Sequence, residues 1–422
     1  MAGRFARVET RRRARGFLLG LLADLPRKNC WSIAEHAGDT DPHGMQHLLN
    51  RARWDTDGVR DDLRDYVTSH LGDTDAVLVV DETGDLKKGV QTVGVQRQYT
   101  GTAGRIENAQ VAVYLTYAGA AGHAMIDREL YLPQSWTSDP DRCAAAGVPA
   151  DIDFLTKPAL ATGMLTRALD GGVLARWVAG DEVYGADPAL RAECELRRVG
   201  YVLAIGCDRR VPTAAGPIRA DQLIAGLPRR AWQRLSAGAG AKGQRYYDWA
   251  LITLTPDPAH GADPTDTADP QCWWLLVRRH SRTGELAFYR CYSPNVVPLR
   301  ELVRVAGRRW TVEETFQASK GLAGLDEHQV RRWISWRRWT LLAMTAHALL
   351  AVIAAHEHAA RPAATGIIAL TCNEIRRLLT AYVIEPRRAR TCPHEWSLWR
   401  RRHQYQARIS HYQRQGAARA WA

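Results

Sequence analysis

Short runs of consecutive apolar residues that end at an acidic residue mark the middle of the chain. One run covers residues 76–80 and ends at Asp81, and another covers 173–179 and is followed, after one glycine, by Asp181. A third run, 201–205, follows a helical pattern. Apolar runs without polar alternation are typical of strands buried on both faces of a sheet. The pattern therefore predicts an α/β protein.

The segments between the first two runs also favour strands. Residues 89–100, 106–117 and 124–132 are rich in strand-forming residues, and turn residues fill 100–104. Strands of the antiparallel kind thus come first, and α and β elements alternate afterwards. This order predicts one mixed sheet.

Helical patterns flank the sheet-forming part of the chain. Residues 1–74 are predicted to be helical, with two short helices at 29–38 and 42–54 that are joined by a turn. The pair could be a helix-turn-helix-like module or a helical cap on the next domain, and the pattern favours neither. Further helices are predicted at about 329–358 and 371–383.

A helix predicted after Pro298 carries charged residues within its apolar face. On a helical wheel at about 100° per residue, the apolar arc consists of Leu302, Val305, Trp310, Val312 and Phe316. Arg309, Glu313 and Lys320 fall inside this arc, whereas Glu314 falls toward the polar side. A carboxylate that faces a core is costly unless it is paired or binds a metal. We therefore expect Glu313 to be buried and to have a partner.

Composition sets limits on the class of protein. The chain has 422 residues, of which 46% are hydrophobic and 24% charged, enough for two or three domains. It has no run of about 18 apolar residues, which argues against a membrane span. The eight cysteines include no Cys-x-x-Cys pair, which argues against a structural zinc site and a disulfide framework.

The net charge of +12 is concentrated near the C-terminus. Residues 386–422 hold nine arginines and one acid, Glu395, with tryptophans and tyrosines interleaved. An arginine-rich composition alone would raise the charge, but clustering with aromatic residues favours a nucleic-acid partner, through phosphate contacts and stacking. Arg400, Arg401 and Arg402 are the predicted DNA contacts within this tail.

Asp81, Asp181 and Glu313 together suggest a metal site. Either aspartate alone is more simply explained as a turn or helix cap. If their strands are parallel neighbours, however, both carboxylates lie at one edge of the sheet, where ligands of α/β sheets bind. Adding Glu313 from a packed helix gives three carboxylates, which could not all ionise together without a cation. Such oxygen ligands select Mg²⁺ or Mn²⁺.

Several motifs resemble those of a known family. Residues 79–89 (VVDETGDLKKG), 93–101 (VGVQRQYTG) and 106–110 (IENAQ) closely resemble insertion-sequence transposases of the IS701 group, which is related to the IS4-type DDE transposases. Residues 180–185 (GDEVYG) match the second-aspartate motif of that group. The resemblance covers roughly residues 25 to 350.

The helix of Glu313 matches the family signature with one departure. In that signature a Tyr is followed by Arg, then after three residues by Glu, and after six more by Lys. Arg309, Glu313 and Lys320 have this spacing, but the position of the Tyr holds Ala306. The supporting role of the Tyr must therefore be unfilled or taken by another residue.

The resemblance implies a fold and a catalytic mechanism. It implies an RNase H-like mixed-sheet core with a β-rich insertion, in which Asp81, Asp181 and Glu313 hold Mg²⁺ or Mn²⁺, as two ions. The neighbouring acids are left outside the triad: Glu82, Asp85, Glu182 and Glu314. Water would cut DNA at the element end, and the released 3′-hydroxyl would attack target DNA. Arg309 and Lys320 would contact DNA phosphate, although pairing with Glu313 within the helix is the alternative.

The resemblance also implies partners and a location. We expect double-stranded DNA as the partner, both element ends and target, a homodimer that bridges two ends, and a cytoplasmic, nucleoid-associated protein. The alternatives are a catalytically inactive or domesticated DNA-binding protein of the same fold and a non-mobile Mg²⁺-dependent nuclease.

The chain divides into five predicted segments. They are a helical N-terminal region with possible DNA binding (1–74), the first part of the core (75–206), a β-rich insertion (207–297), the completion of the core with the Glu313 helix (298–360), and a helical, basic C-terminal region (361–422).

Overall fold

The structure is a computed structural model of the chain. The residues that it describes are 1–240, 243–256, 271–361 and 369–385, together with 396, 399, 403, 406, 410 and 413.

Most strands of the described residues belong to one ten-stranded sheet. In chain order the strands are β1 (Val77–Leu86), β2 (Gln96–Thr100), β3 (Arg105–Ala118), β4 (His123–Leu130), β5 (Trp177–Gly180), β6 (Gly200–Ile205), β7 (Arg210–Val211), β8 (Ile218–Arg219), β9 (Gln233–Gly240), β10 (Gly243–Leu254), β11 (Cys272–Arg279) and β12 (Leu286–Ser293). β7 and β8 form a separate two-stranded sheet.

Helices cover the sheet and form the N-terminal region. In chain order they are α1 (Val8–Leu22), α2 (Cys30–Ala37), α3 (His43–Asn50), α4 (Thr56–Leu71), α5 (Gln134–Thr137), α6 (Pro140–Ala146), α7 (Lys157–Asp170), α8 (Glu182–Gly185), α9 (Pro188–Leu196), α10 (Ala220–Ile224), α11 (Leu299–Arg308), α12 (Trp310–Ala323), α13 (Trp333–Ala360) and α14 (Cys372–Leu379).

The order of the strands confirms the predicted RNase H-like mixed sheet. β1 pairs antiparallel with β3, and β3 pairs antiparallel with both β2 and β4. On its other side β1 pairs parallel with β5, which pairs parallel with β6. The antiparallel strands therefore come first in the chain and the parallel ones follow through α7 and α9, as the sequence predicted.

Two strands differ from their predicted lengths. β1 does not end at Asp81 but continues to Leu86, because it pairs with β3 along its whole length. β5 begins only at Trp177, so the apolar residues from Val173 onward are mostly loop. Asp81 thus lies in the middle of a strand, whereas Asp181 follows the end of one.

The β-rich segment between β6 and α11 continues the main sheet. β12 pairs antiparallel with β6, with Phe288 opposite Ile205, and β11, β10 and β9 follow in order. This segment therefore joins, through β6, the sheet that carries the acids. The division of the chain into five segments remains a prediction.

The long helix α13 lies in the core. Its residues Leu341, Met344 and Ala348 are fully buried. By length and composition α13 could cross a membrane, but 78% of its most apolar window is buried inside the protein. Burial of that kind is typical of a core helix.

The helical wheel drawn across Arg309 was wrong about two residues. Glu313 is exposed and Trp310 is 45% exposed, whereas Val305 and Val312 are buried as expected. The reason is that the chain forms two helices here, α11 and α12, with Arg309 as the residue between them. A single wheel combines residues from two helix axes, so it misplaces the first turn of α12.

Candidate active site

Asp81 on β1 and Asp181, directly after the neighbouring parallel strand β5, lie side by side. β1 and β5 pair in parallel with Val79 opposite Ala179. Asp81 and Asp181 each come two residues later, so they lie opposite each other as well. Asp81 is 8% exposed. Asp181 is the N-cap of α8 and accepts a hydrogen bond from the Val183 backbone N–H at 2.8 Å. The predicted convergence of these carboxylates follows from this register.

Both carboxylates lie in surroundings that oppose their ionisation. Burial and the neighbouring charge of Asp181 raise the pKa of Asp81 to about 8. Burial and the charge of Glu82 raise the pKa of Asp181 as well. The guanidinium of Arg309 lies 3.6 Å from Asp81 and compensates this cost only in part. A divalent cation between two such carboxylates would remove it.

The chain from Arg309 to His328 follows β1 and contacts alternate residues of that strand. Arg309 contacts Asp81, Lys320 donates a hydrogen bond to Thr83 Oγ1 at 2.7 Å, and His328 Nε2 lies 2.9 Å from Asp85. Alternate residues of a strand share one face, so all three contacts are made on the same face of β1. Side-chain contacts therefore fix α12 on the strand that carries Asp81.

Glu313 lies on α12 between these contacts. It is one turn after Arg309 and seven residues before Lys320, so it shares their side of the helix. Its side chain is exposed. Neither Arg309 nor Lys320 forms an ion pair with Glu313 in the part of the chain that the structure describes, where both instead contact β1. The predicted burial of Glu313 is therefore wrong, and pairing within the helix is not seen.

Asp81 and Asp181 are adjacent, but the structure does not bring the third acid to them. Among the described residues no group of three His, Cys, Asp or Glu side chains is placed to hold a metal ion. Two carboxylates with raised pKa values, Asp81 and Asp181, still provide the hard oxygen ligands that Mg²⁺ and Mn²⁺ prefer. The two aspartates therefore fit part of the ligand set of a divalent ion, and a third carboxylate would have to come from a side chain that moves toward them.

Glu82 has partners of its own on the other face of β1. It accepts hydrogen bonds from Lys157 Nζ at 2.6 Å and from the hydroxyl of Tyr184 at 2.5 Å. Lys157 begins α7 and Tyr184 lies in α8, directly after Asp181. Sequence reasoning gave neither residue a role. The Tyr at the third position after Asp181 was the available signal, since a buried Tyr needs a partner for its hydroxyl.

The remaining acids and signature positions are placed as follows. Asp85 is partly buried, and although burial would raise its pKa, the hydrogen bond and charge of His328 hold that pKa below its usual value. Glu314 is exposed and lies 3.7 Å from His123. Ala306 is buried in α11 at 6% exposure. The predicted tail contacts Arg400, Arg401 and Arg402 lie outside the described residues.

Comparisons with known proteins identify relatives of this chain. A family model described as "DDE superfamily endonuclease" matches residues 1–249, which include Asp81 and Asp181. The chain is 24% identical over 330 residues to a protein of Microchaete diplosiphon named "Probable transposase for insertion sequence element IS701", covering 75% of this chain and 76% of that protein.

A solved structure is also similar to this chain. It is titled "Cryo-EM structure of piggyBac transposase synaptic complex with hairpin DNA (SNHP)", and the two share 11% identity at a TM-score of 0.42, over 94% of this chain and 76% of that one. The family match covers more than half of the 422 residues. The chain therefore belongs to the DDE superfamily endonuclease family.

Proposed function

We propose that this protein is a transposase that cuts DNA at the ends of an insertion sequence and joins the released 3′-hydroxyl to target DNA. The observation that carries the proposal is that Asp81 and Asp181 lie opposite each other at neighbouring parallel strands. Arg309, at the junction of α11 and α12, lies 3.6 Å from Asp81. Members of this endonuclease family generally use divalent metal ions. The similarity to an IS701 transposase supports DNA ends as the substrate.

Asp81, Asp181 and Glu313 would hold the metal, as two ions of Mg²⁺ or Mn²⁺. Asp81 and Asp181 are held in fixed positions. The backbone pairing of β1 fixes Asp81, and its role as N-cap of α8 fixes Asp181. Glu313 is exposed, so its side chain is free to turn toward a bound ion. When bound, the ions activate the attacking oxygen and stabilise the leaving oxygen of a phosphodiester.

Arg309 and Lys320 would hold the DNA strand that is cut. Arg309 now balances part of the charge of Asp81, and a bound cation would take over that role. Its guanidinium could then contact a phosphate, for which its forked donors are well suited. Lys320 contacts Thr83, which lies two residues after Asp81 on β1, and the Lys320 side chain is only partly buried. Together they would orient the scissile phosphate over Asp81.

The proposal includes the remaining partners. Double-stranded DNA is the ligand, both as element end and as target. A homodimer would bridge two element ends, and the protein would act in the cytoplasm on the nucleoid. The tail residues Arg400, Arg401 and Arg402 would add phosphate contacts that do not depend on sequence.

Cleavage of the DNA that flanks the gene tests this function. The purified protein should cut that DNA in Mg²⁺ or Mn²⁺ and not in EDTA, and should join the cut end to a plasmid. Asp181→Asn should reduce the cleavage rate at least about 100-fold, whereas Glu182→Gln, the exposed acid next to it, should retain the rate of the wild type.

Other results of the cleavage assay would favour one of the alternative functions. Cutting without joining would indicate a nuclease, and binding without metal-dependent cutting would indicate an inactive DNA-binding protein. An unchanged rate in Asp181→Asn would remove Asp181 from the site.

A further inference from the structure

The first three helices form a compact unit with a tight turn between the second and third. Asn29 caps α2 and forms a capping box with Ser32, and Gly38 ends α2 with a φ of 85°. Five residues later α3 begins at His43. α1 packs against both, and a Cβ added at Gly16 would lie 3.5 Å from Met45 Cε of α3. This is the order of helices in helix-turn-helix modules, in which the second helix of the pair reads DNA.

α3 has one buried face and one polar face. Met45, Leu48 and Leu49 are buried. The opposite stripe, at positions i, i+3, i+4 and i+7, consists of His43, Gln46, His47 and Asn50. The first three are exposed, and Asn50 is half-buried. Asn and Gln side chains can bond to adenine by two hydrogen bonds in the major groove, and the helix of eight residues is about 12 Å long, comparable with the width of that groove.

Exposed arginines precede and follow α3 in the chain. Arg12 and Arg13 of α1 and Arg51 and Arg53 after α3 are all exposed. The guanidinium of Arg13 lies so close to Gly44 that a Cβ there would be 2.8 Å from its Nε. In the described part of the chain none of these four side chains has a hydrogen bond or ion pair with a protein group. They are therefore available for contact with phosphates.

Between Gly38 and Trp54 the acidic residues precede α3. Asp41 lies 3.1 Å from His43, and Asp39 lies in the turn, where burial raises its pKa and the charge of Arg13 opposes this rise. Both precede the helix, whereas Arg51 and Arg53 follow it. The stripe itself carries no carboxylate.

The far end of α3 is fixed to the core. Arg338 of α13 donates hydrogen bonds to the carbonyl oxygens of Leu48 at 3.2 Å and Ala52 at 2.7 Å, and Trp54 Nε1 donates to Leu48 at 3.0 Å. Arg338 is 6% exposed and lies over the Trp54 ring. These bonds satisfy carbonyls that a helix end leaves without partners. α3 is thus held rigidly by the helix that follows α12 in the chain.

Described residues of the C-terminal tail reach the same unit. The Trp399 ring contacts Trp31 of α2 at 4.6 Å and His43 at 6.3 Å, and Trp396 Nε1 donates to the Asp39 carbonyl at 2.8 Å. His43 nevertheless keeps a side-chain exposure of 72%. The polar stripe therefore stays open to a ligand.

We propose that α3 reads the base sequence of the DNA end in its major groove, through Gln46, His47 and Asn50, while Arg12, Arg13, Arg51 and Arg53 contact the adjacent phosphates. The inference rests on the proposed function, because it takes DNA as the ligand. It assigns specificity to the N-terminal unit and cutting to the acids on the sheet. Contact through α13 keeps the two at a fixed spacing.

Equilibrium binding of the full-length protein tests this assignment. Affinities for the DNA that flanks the gene and for a scrambled duplex are measured in EDTA over a range of salt. Gln46→Ala and Asn50→Ala should each lower the preference for the flanking DNA about tenfold, with the salt slope unchanged. Gln222→Ala, an exposed glutamine on α10, is the matched control and should bind as the wild type.

The arginines should behave differently from the stripe. Arg51→Ala and Arg53→Ala should weaken binding to both duplexes equally and lower the salt slope by about one each. Thermal unfolding checks that each variant is folded. An undiminished preference in the folded Gln46→Ala and Asn50→Ala variants would overturn the proposal.

The two proposals fail in different assays. Binding in EDTA does not involve the acids, so loss of preference in the α3 variants supports this inference even if no cleavage is found. Retained preference together with metal-dependent cleavage would overturn it and leave the proposed function intact.

Discussion

At the scale of single residues, the acids of the site carry a cost that the protein alone does not remove. Asp81 is buried beside Asp181, and its pKa is raised to about 8. Only Arg309 offers Asp81 an opposite charge in the described surroundings, at 3.6 Å. Groups held in this way are typical of functional sites, where a ligand provides the missing charge.

Replacing Asp81 by its neutral isostere should therefore stabilise the metal-free protein. A raised pKa means that stability is lost as the pH rises from the usual value of aspartate through about 8. Asp81→Asn should accordingly raise the melting temperature in EDTA by roughly 1–3 °C at pH 8, and by less at pH 5, where Asp81 is protonated. Mg²⁺ should stabilise the wild type and not the variant. Thermal unfolding at both pH values measures this.

Asp151→Asn, at an exposed position, is the matched control and should leave the melting temperature in EDTA unchanged at both pH values. A melting temperature for Asp81→Asn below that of the wild type in EDTA would show that the buried carboxylate of Asp81 does not destabilise the metal-free protein.

The residues of the site differ in how far the sequence could predict them. Asp81 and Asp181 were predictable because each follows an apolar run, and parallel pairing alone brings them level. The exposure of Glu313 was not, since it depends on a break in the helix at Arg309. The partners of Glu82, namely Lys157 and Tyr184, come from separate helices, and no local pattern relates them to β1.

At the scale of elements, the junction of α11 and α12 sets the position of Glu313. α11 packs directly on β9, where a Cβ at Gly307 would lie 1.9 Å from the carbonyl oxygen of Ala237. Arg245 of β10 donates to the Gly307 carbonyl at 3.2 Å and lies over the Trp310 ring. The inserted strands thus position the helix that carries Glu313.

A methyl group at Gly307 should disturb this junction. Gly307→Ala must push α11 away from the backbone of β9, so we expect a loss of stability of about 1–3 kcal/mol and a lower cleavage rate. Gly321→Ala, in α12, meets nothing within 4 Å and should be neutral or stabilise by up to about 1 kcal/mol. Urea unfolding and DNA cleavage of both variants measure this. Equal behaviour of the two would show that close packing at Gly307 does not position α12.

At the scale of the whole molecule, one sheet connects the acids to the inserted strands. A mixed sheet with its antiparallel strands first and alternating α and β elements afterwards was predictable from the apolar runs and the order of the elements. The pairing of β12 with β6 was not, because Phe288 and Ile205 are far apart in sequence and no local pattern specifies the register. The same holds for Arg338, whose bonds to α3 join the N-terminal unit to the core.

The central claim is that Glu313 completes a metal site with Asp81 and Asp181. Glu314 offers a matched control, since it is the same residue type, adjacent and also exposed. Metal-dependent cleavage of the flanking DNA by Glu313→Gln and Glu314→Gln tests the claim most directly. The site predicts a loss of at least about 100-fold for Glu313→Gln and a rate near that of the wild type for Glu314→Gln. Equal rates for the two variants would contradict it.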